Sequence, residues 1–260
     1  MKMKKLLSVV LVAACTLSMA ACGSGESKNT GSASDDSDTL VMATNAEFPP
    51  YEYHDGDEIV GIDAEFAAAI ADKLGKELKI EDMAFDSIIP AVQGGKADFG
   101  AAGMTVTDER KTQVDFSDSY YTGRQVIIVA EGSDFATPED LEGKKIGVQL
   151  GTTGDIYASD TPENGGYGEE NIERFNKGFE AVQSLLQGKI DAVIIDDQPA
   201  KAFVAENDGL KILDTEYIEE EYALCFKKDS KLVAEVNDAI AALKEDGTFD
   251  KIVAKYITAE

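Results

Sequence analysis

The sequence predicts an α/β architecture made of two similar halves. Short apolar strand signals alternate with amphipathic helical ones, the pattern of helices packed on a sheet. A helix–glycine–strand unit also occurs twice. QGGKAD at 93–98 and QGKID at 187–191 each end a helix on glycine and lead into an apolar strand. Once a polar N-terminal stretch is set aside, about 220 residues remain to fold, enough for one large core or two modest ones.

In chain order, MKMKK is a basic leader and LLSVVLVAACTLSMAA an uncharged apolar run that ends in small residues. Together they read as a secretory signal peptide over 1–21, too short for a membrane span. M-A-A-C then resembles the lipobox of bacterial lipoproteins, with Cys22 as the lipidated new N-terminus; V-A-A-C at Cys15 also fits, but Cys22 leaves the fuller apolar run before it. Residues 22–38, CGSGESKNTGSASDDSD, lack apolar side chains and read as a flexible tether, with a reach of roughly 20 Å.

TLVMAT (39–44) is a buried strand. In IDAEFAAAIADKLG (62–75), Ile62, Phe66, Ile70 and Leu74 recur at helical spacing and Gly75 can end the helix. DSIIPAVQGG (86–95) is a second helix, capped by Asp86 or Ser87, with Pro90 near its first turn. RQVIIVAE (124–131) and KKIGVQ (144–149) are strands, FEAVQSLLQGK (179–189) a helix and IDAVIID (190–196) a strand. VAEVNDAIAALKEDG and FDKIVAKYI close the chain as amphipathic helices.

The net charge is −26, and loss of a leader with three lysines and no acid deepens it to −29. Such a chain does not seek nucleic acid or an anionic bilayer. His54, in the turn YHDGDE, is the only histidine and reads as a surface residue, so no serine–histidine or cysteine–histidine machinery can be assembled. HExxH, paired CxxC, GxGxxG and GxxxxGK[ST] are all missing from the sequence. The expectation is a non-enzyme without cofactor or metal. Cys225 in YALCF is the lone thiol of the folded part and reads as a small core residue.

Arginine is scarce, three against twenty-one lysines, yet one lies in GAAGMTVTDERK (100–111). Its planar fork holds a carboxylate through two parallel hydrogen bonds, which lysine cannot do. A surface partner such as Asp108 or Glu109 is the alternative use of Arg110. Ligands of open α/β sheets sit beyond the carboxyl ends of strands. That places Gly103 and Thr105 on one lip and Asp196 and Asp197 on another. LGTTGD (150–155) offers a helix start at Thr152 or Thr153, suited to an anion. Gly103 allows close approach of a carbonyl, and Thr105 adds a hydroxyl and an N–H. An anion site beside a cation site is the footprint of a zwitterion, of which an α-amino acid is the smallest common case.

ATNAEFPPYEY, VGIDAEFAAAIADKLG, MAFDSIIPAVQGGKAD, AAGMTVTDERKTQVDFSDSYY, LEGKKIGVQLGTTG, DAVIIDDQPA and LKEDGTFDKIVAKY resemble, in order, family 3 of bacterial extracellular solute-binding proteins. The resemblance implies a two-lobe periplasmic-binding-protein type II clamshell with two hinge strands. Lobe 1 would span 38–123 with 222–260, and lobe 2 124–221. It implies a lipid-anchored monomer on the outer face of the cytoplasmic membrane that delivers a polar L-amino acid to an ABC permease and its ATPase. Arg110 would clamp the α-carboxylate with Thr105 and Thr153. Asp197 would hold the α-ammonium with Gly103, and Phe48 and Phe85 would flank the side chain.

Asn45, Glu47, Phe48, Phe85, Asp86, Gln149 and Asp196 would set specificity. Asn45 stands where receptors for cationic amino acids carry an acid; with Gln149 it suits a neutral polar side chain, whereas Glu47, Asp86 and Asp196 suit a cationic one. Tyr120, Tyr121 and Tyr222 read as structural hinge residues. The same fold also carries cyclohexadienyl-type dehydratases, for which Asp196 or Glu47 would be the acid, and amino-acid sensor modules.

Overall fold

The computed structural model describes residues 38–214 and 217–257. The signal peptide, both candidate lipidation cysteines (Cys15 and Cys22) and nearly all of the tether lie outside the described residues. Two large sheets organise the rest, beside a small one of Glu47–Phe48, Glu52–Asp55 and Glu58–Val60. The first has five strands in the order Glu77–Asp82, Thr39–Thr44, Phe99–Gly100, Cys225–Lys227, Val114–Phe116. The first three run parallel and Cys225–Lys227 antiparallel to its neighbours. The second sheet orders Ile172–Phe175, Ile146–Gln149, Ala192–Asp196, Tyr121–Ala130 and Leu210–Ile212, with Ile218–Tyr222 also paired to Tyr121–Ala130.

The chain crosses between the sheets twice. It leaves the first after Phe116 to enter Tyr121–Ala130, and returns from Ile218–Tyr222 into Cys225–Lys227. The two crossing strands pair antiparallel, Tyr222 opposite Tyr121. This is the two-lobe clamshell with two hinge strands that the sequence implied.

Local chemistry explains the elements. The first helix runs Ile62–Lys73 and buries Ile62, Phe66 and Ile70; Gly75, at φ +67°, accepts the left-handed turn that ends it. Each fully buried Phe or Ile contributes about 1.5–3 kcal/mol. The helix packs against the two C-terminal helices, Leu232–Glu245 and Thr248–Tyr256. The expected 86–95 helix is shorter. A 3-10 turn over Phe85–Ser87 precedes a helix over Ile88–Gln93, and no side chain caps it.

The repeated QG motif is realised in both lobes. Gly95 (φ +70°) and Gly188 (φ +67°) follow the helices Ile88–Gln93 and Gly178–Leu186, and the next strands are Phe99–Gly100 and Ala192–Asp196. The second strand is buried throughout, as expected of a central strand covered on both faces. Cys225 is a buried free thiol whose burial pushes its pKa up to about 12, which makes it an inert core group.

Candidate functional site

Arg110 enters the site from a short helix, Asp108–Gln113, whose N-terminus is capped by the Thr107 hydroxyl accepting from the Arg110 amide at 3.1 Å. Arg110 is only 5% exposed. Nη1 donates to the Thr105 carbonyl at 2.8 Å, and Nη2 to the Gly151 carbonyl of the other lobe at 3.1 Å. The Phe85 ring lies 5.4 Å away, face-on to the cation. The other two arginines meet carboxylates: Arg174 bonds Asp155 and Glu169, and Arg124 bonds Asp197. Among the described residues, the Arg110 guanidinium hydrogen-bonds carbonyls and no carboxylate. Burial lowers its pKa, opposed mainly by the charge of Glu220.

A small cavity opens beside Arg110. Asn45, Phe48, Phe85, Gly103, Thr105, Gln149, Thr152, Thr153 and Asp196 line it with Arg110, and Glu52 and Ala102 complete the wall. Gly103, at φ +52°, lets the Phe48 ring pack directly on the backbone; a Cβ there would sit 2.9 Å from Phe48 Cε1. Thr152 caps the Thr153–Ser159 helix by accepting from the Asp155 amide. Across the cleft, Gln149 Nε2 donates to Asn45 Oδ1 at 2.8 Å, joining the two lobes through a pair of amides.

Thr105 Oγ1 donates to Glu220 Oε2 at 3.0 Å, and Gln125 Nε2 donates to the same oxygen at 3.0 Å. With its single proton committed, the Thr105 hydroxyl faces the cavity as an acceptor.

Asp196 and Asp197, adjacent in sequence, part company. Asp196 ends the strand Ala192–Asp196 and lines the cavity, where its carboxyl accepts the Tyr222 hydroxyl. Burial, reinforced by the charge of Glu220, pushes its pKa up. Asp197 does not line the cavity. It opens the Asp197–Glu206 helix and accepts from Arg124 Nε at 3.3 Å and Gln198 Nε2 at 3.1 Å, in a separate surface hollow shared with Lys201. Successive side chains at a strand end point to opposite faces. Asp197, expected to hold the α-ammonium, is thus outside the cavity that Asp196 lines.

Glu47 and Asp86, also expected at the specificity wall, do not line the cavity. Glu47 forms an ion pair with Lys177 across the cleft mouth. His54 is exposed beside Asp82, 3.1 Å away. Glu52 is the lining acid that sequence reasoning missed. It lies between Tyr51 and Tyr53 in a short strand, Glu52–Asp55, and is 1% exposed. Asp63 lies behind it and accepts from the Gly103 amide at 2.8 Å and the Tyr120 hydroxyl at 2.7 Å. Tyr51, Tyr121 and Tyr222 pack ring to ring under the site, with centroids 5.5–6.1 Å apart. Among the described residues, no cluster of three or more His, Cys, Asp or Glu is arranged to hold a metal, and no helix is long and apolar enough to cross a membrane.

Comparison with known proteins places this geometry. The family model for bacterial extracellular solute-binding proteins, family 3, matches residues 40–259. The chain is 38% identical to the arginine-binding extracellular protein ArtP of Bacillus subtilis over 261 residues, 99% of this chain and 100% of that one. It is also similar to an ancestral arginine-binding protein solved with glutamine bound, at 41% identity and TM-score 0.79, covering 85% of this chain and 99% of the other. The arginine-, lysine-, histidine-binding protein ArtJ of Geobacillus stearothermophilus superposes with TM-score 0.80 at 33% identity, over 85% of this chain and 96% of that one.

Proposed function

Because the chain belongs to the bacterial extracellular solute-binding proteins, family 3, we propose that its cleft captures a polar L-amino acid for import by an ABC transporter. One observation carries the reading. Arg110 is a buried arginine held by carbonyls alone at the edge of a cavity, and a carboxylate completes it. Thr152 and Thr153 line the same end. Asp196, the Thr105 hydroxyl and the backbone at Gly103 offer acceptors for the α-ammonium, and Phe48 and Phe85 flank the side chain. Asn45 and Gln149 border the side-chain space.

A cationic or amide side chain fits best. The cavity wall carries Glu52 and Asp196 against one cation, Arg110, which is committed to the carboxylate. The names of the relatives, which bind arginine, lysine, histidine or glutamine, support the same class. Lobe 1 over 38–123 with 222–260 and lobe 2 over 124–221 would close about the ligand, since Arg110–Gly151 and Asn45–Gln149 contacts span the two. A ligand favours closure only through contacts that differ between open and closed states. Lipid anchoring at Cys22 would hold the receptor at the membrane near its permease.

Calorimetry tests this on purified protein, unfolded and refolded to strip carried ligand, against the L-amino acids singly. The expected result is micromolar or tighter binding, about −8 kcal/mol or better, of arginine, lysine, histidine or glutamine, with glutamate weak or silent. Absence of binding by every amino acid overturns the reading.

A further inference from the structure

The floor of the cleft holds a carboxyl group that the scheme above leaves without a task. Glu52 lines the cavity, and neither of its carboxyl oxygens receives a hydrogen bond from a donor. Asp63, from the first turn of the Ile62–Lys73 helix, is equally buried. Its oxygens already accept from the Gly103 amide and the Tyr120 hydroxyl. Glu52 and Asp63 act on each other, and two carboxyl groups can hydrogen-bond to each other only with a proton between them.

The surroundings supply no countercharge. Asp196 from the second sheet and Asp82 from the Glu77–Asp82 strand both act on Glu52 with like charge. The buried hydroxyl of Tyr51, its chain neighbour, gives Glu52 no hydrogen bond, and Tyr120 gives its hydroxyl to Asp63. Arg110 lines the same cavity but is held by Thr105 and Gly151. A buried carboxylate without donor or cation takes up a proton rather than remain charged. Burial, then the charge of Asp63, accordingly lifts Glu52 well above the usual carboxylate range, and burial lifts Asp63 to about 6.

We propose that Glu52 and Asp63 form a proton-sharing pair that the ligand discharges. Before the ligand enters, Glu52 carries the proton and rests it on Asp63. When a cationic nitrogen of the ligand reaches the floor, the Glu52 O–H bond breaks, its electron pair stays on the carboxylate, and the proton passes to solvent. The nitrogen then supplies the positive charge that the proton supplied. The inference rests on the amino-acid reading above. The nitrogen is either the α-ammonium of any amino acid or the charged end of a cationic side chain. In both cases capture weakens in acid, by up to about tenfold per pH unit below the pKa of the pair.

The test is calorimetry near neutral pH in buffers of different ionisation enthalpy, with L-arginine and with L-glutamine. About one proton should be released per ligand bound. Glu52→Gln keeps the shape and donates an N–H to Asp63 as the protonated acid does. It should fold with an unchanged melting temperature, bind more weakly, and release about one proton fewer. Release with both ligands assigns the α-ammonium as the displacing group, and release with arginine alone assigns the side chain; either supports the pair. Binding without buffer dependence, or release undiminished in Glu52→Gln, overturns it. Absence of any binding overturns the amino-acid reading and this inference together. Should Glu52→Gln fail to fold, the arginine affinity of the native protein from pH 5 to 8 decides instead. A climb with pH supports the pair, and a flat profile overturns it.

Discussion

At one end of the cleft a buried guanidinium is surrounded by carbonyl oxygens and an aromatic face, with no carboxylate against it. At the other, Glu52, Asp63 and Asp196 crowd together without a lysine or arginine between them. The two ends handle burial differently. Arg110 cannot shed its charge and must wait for an anion, so carbonyl dipoles hold it in place. The carboxyl groups can shed theirs, so they take protons. A zwitterion meets a fixed charge at one end and a titratable one at the other. Affinity at the Arg110 end should therefore be indifferent to pH, while affinity at the floor follows it.

The largest effect expected is at the fixed end. Arg110→Ala leaves a ligand carboxylate buried and unpaired and should cost about 3–5 kcal/mol of binding. Arg110→Lys should recover part of that, because the charge returns without the two-pronged geometry. Calorimetry with arginine or glutamine as ligand reads both. Near-native affinity in Arg110→Ala would remove the carboxylate site from that end altogether.

Asp196→Asn is the matching cut at the floor. It should cost about 2–5 kcal/mol, since an ammonium loses its charged partner. Its neighbour sharpens the comparison. Asp197→Asn, whose carboxylate meets Arg124, Gln198 and Lys201 away from the cavity, should change affinity by less than about 1 kcal/mol. Equal losses in the two variants would mean that the assignment of the ammonium to Asp196 is wrong.

The floor also predicts how the ligand-free protein responds to pH. Asp63 moves from 3.8 to about 6 on folding. The folded chain therefore binds more protons than the unfolded chain between those values. Stability from this group is fully present below about pH 4 and declines as pH rises through about 6, by up to roughly 3 kcal/mol. Melting temperature without ligand should fall from pH 5 to 7. A rise over that range would mean that the floor is ionised and compensated in the folded state.

How legible each end was in the sequence follows from how it is built. Arg110, Thr105 and Gly103 lie within eight consecutive residues, and Thr152 and Thr153 within one turn, so local spacing exposed them. The floor draws Glu52, Asp63 and Asp196 from a short strand, a helix start and a strand end. Only the tertiary fold brings these together. One signal was present. Asp63 lies three, four and seven residues before Phe66, Ala67 and Ile70, on the face they bury, and an acid on an apolar stripe is out of place unless paired. Asp196 and Asp197 show the opposite limit. Sequence placed both at the right strand end, but which one turns inward depends on the register of the last strand residue, one position either way.

The smallest effect concerns the cleft mouth, where Glu47 and Lys177 pair between the lobes. Their side chains are 28% and 40% exposed, so the attraction is screened by water and salt. The pair exists only while the lobes meet, so it stabilises the closed form and leaves the open form alone. Glu47→Gln should speed ligand release a few-fold, a loss under about 1 kcal/mol, with little change in the association rate. Raising salt should shrink the difference between native protein and variant. A loss as large as that of Asp196→Asn, or one that ignores salt, would move Glu47 from the rim into the site, and the acid count of the ligand wall would have to be redrawn around it.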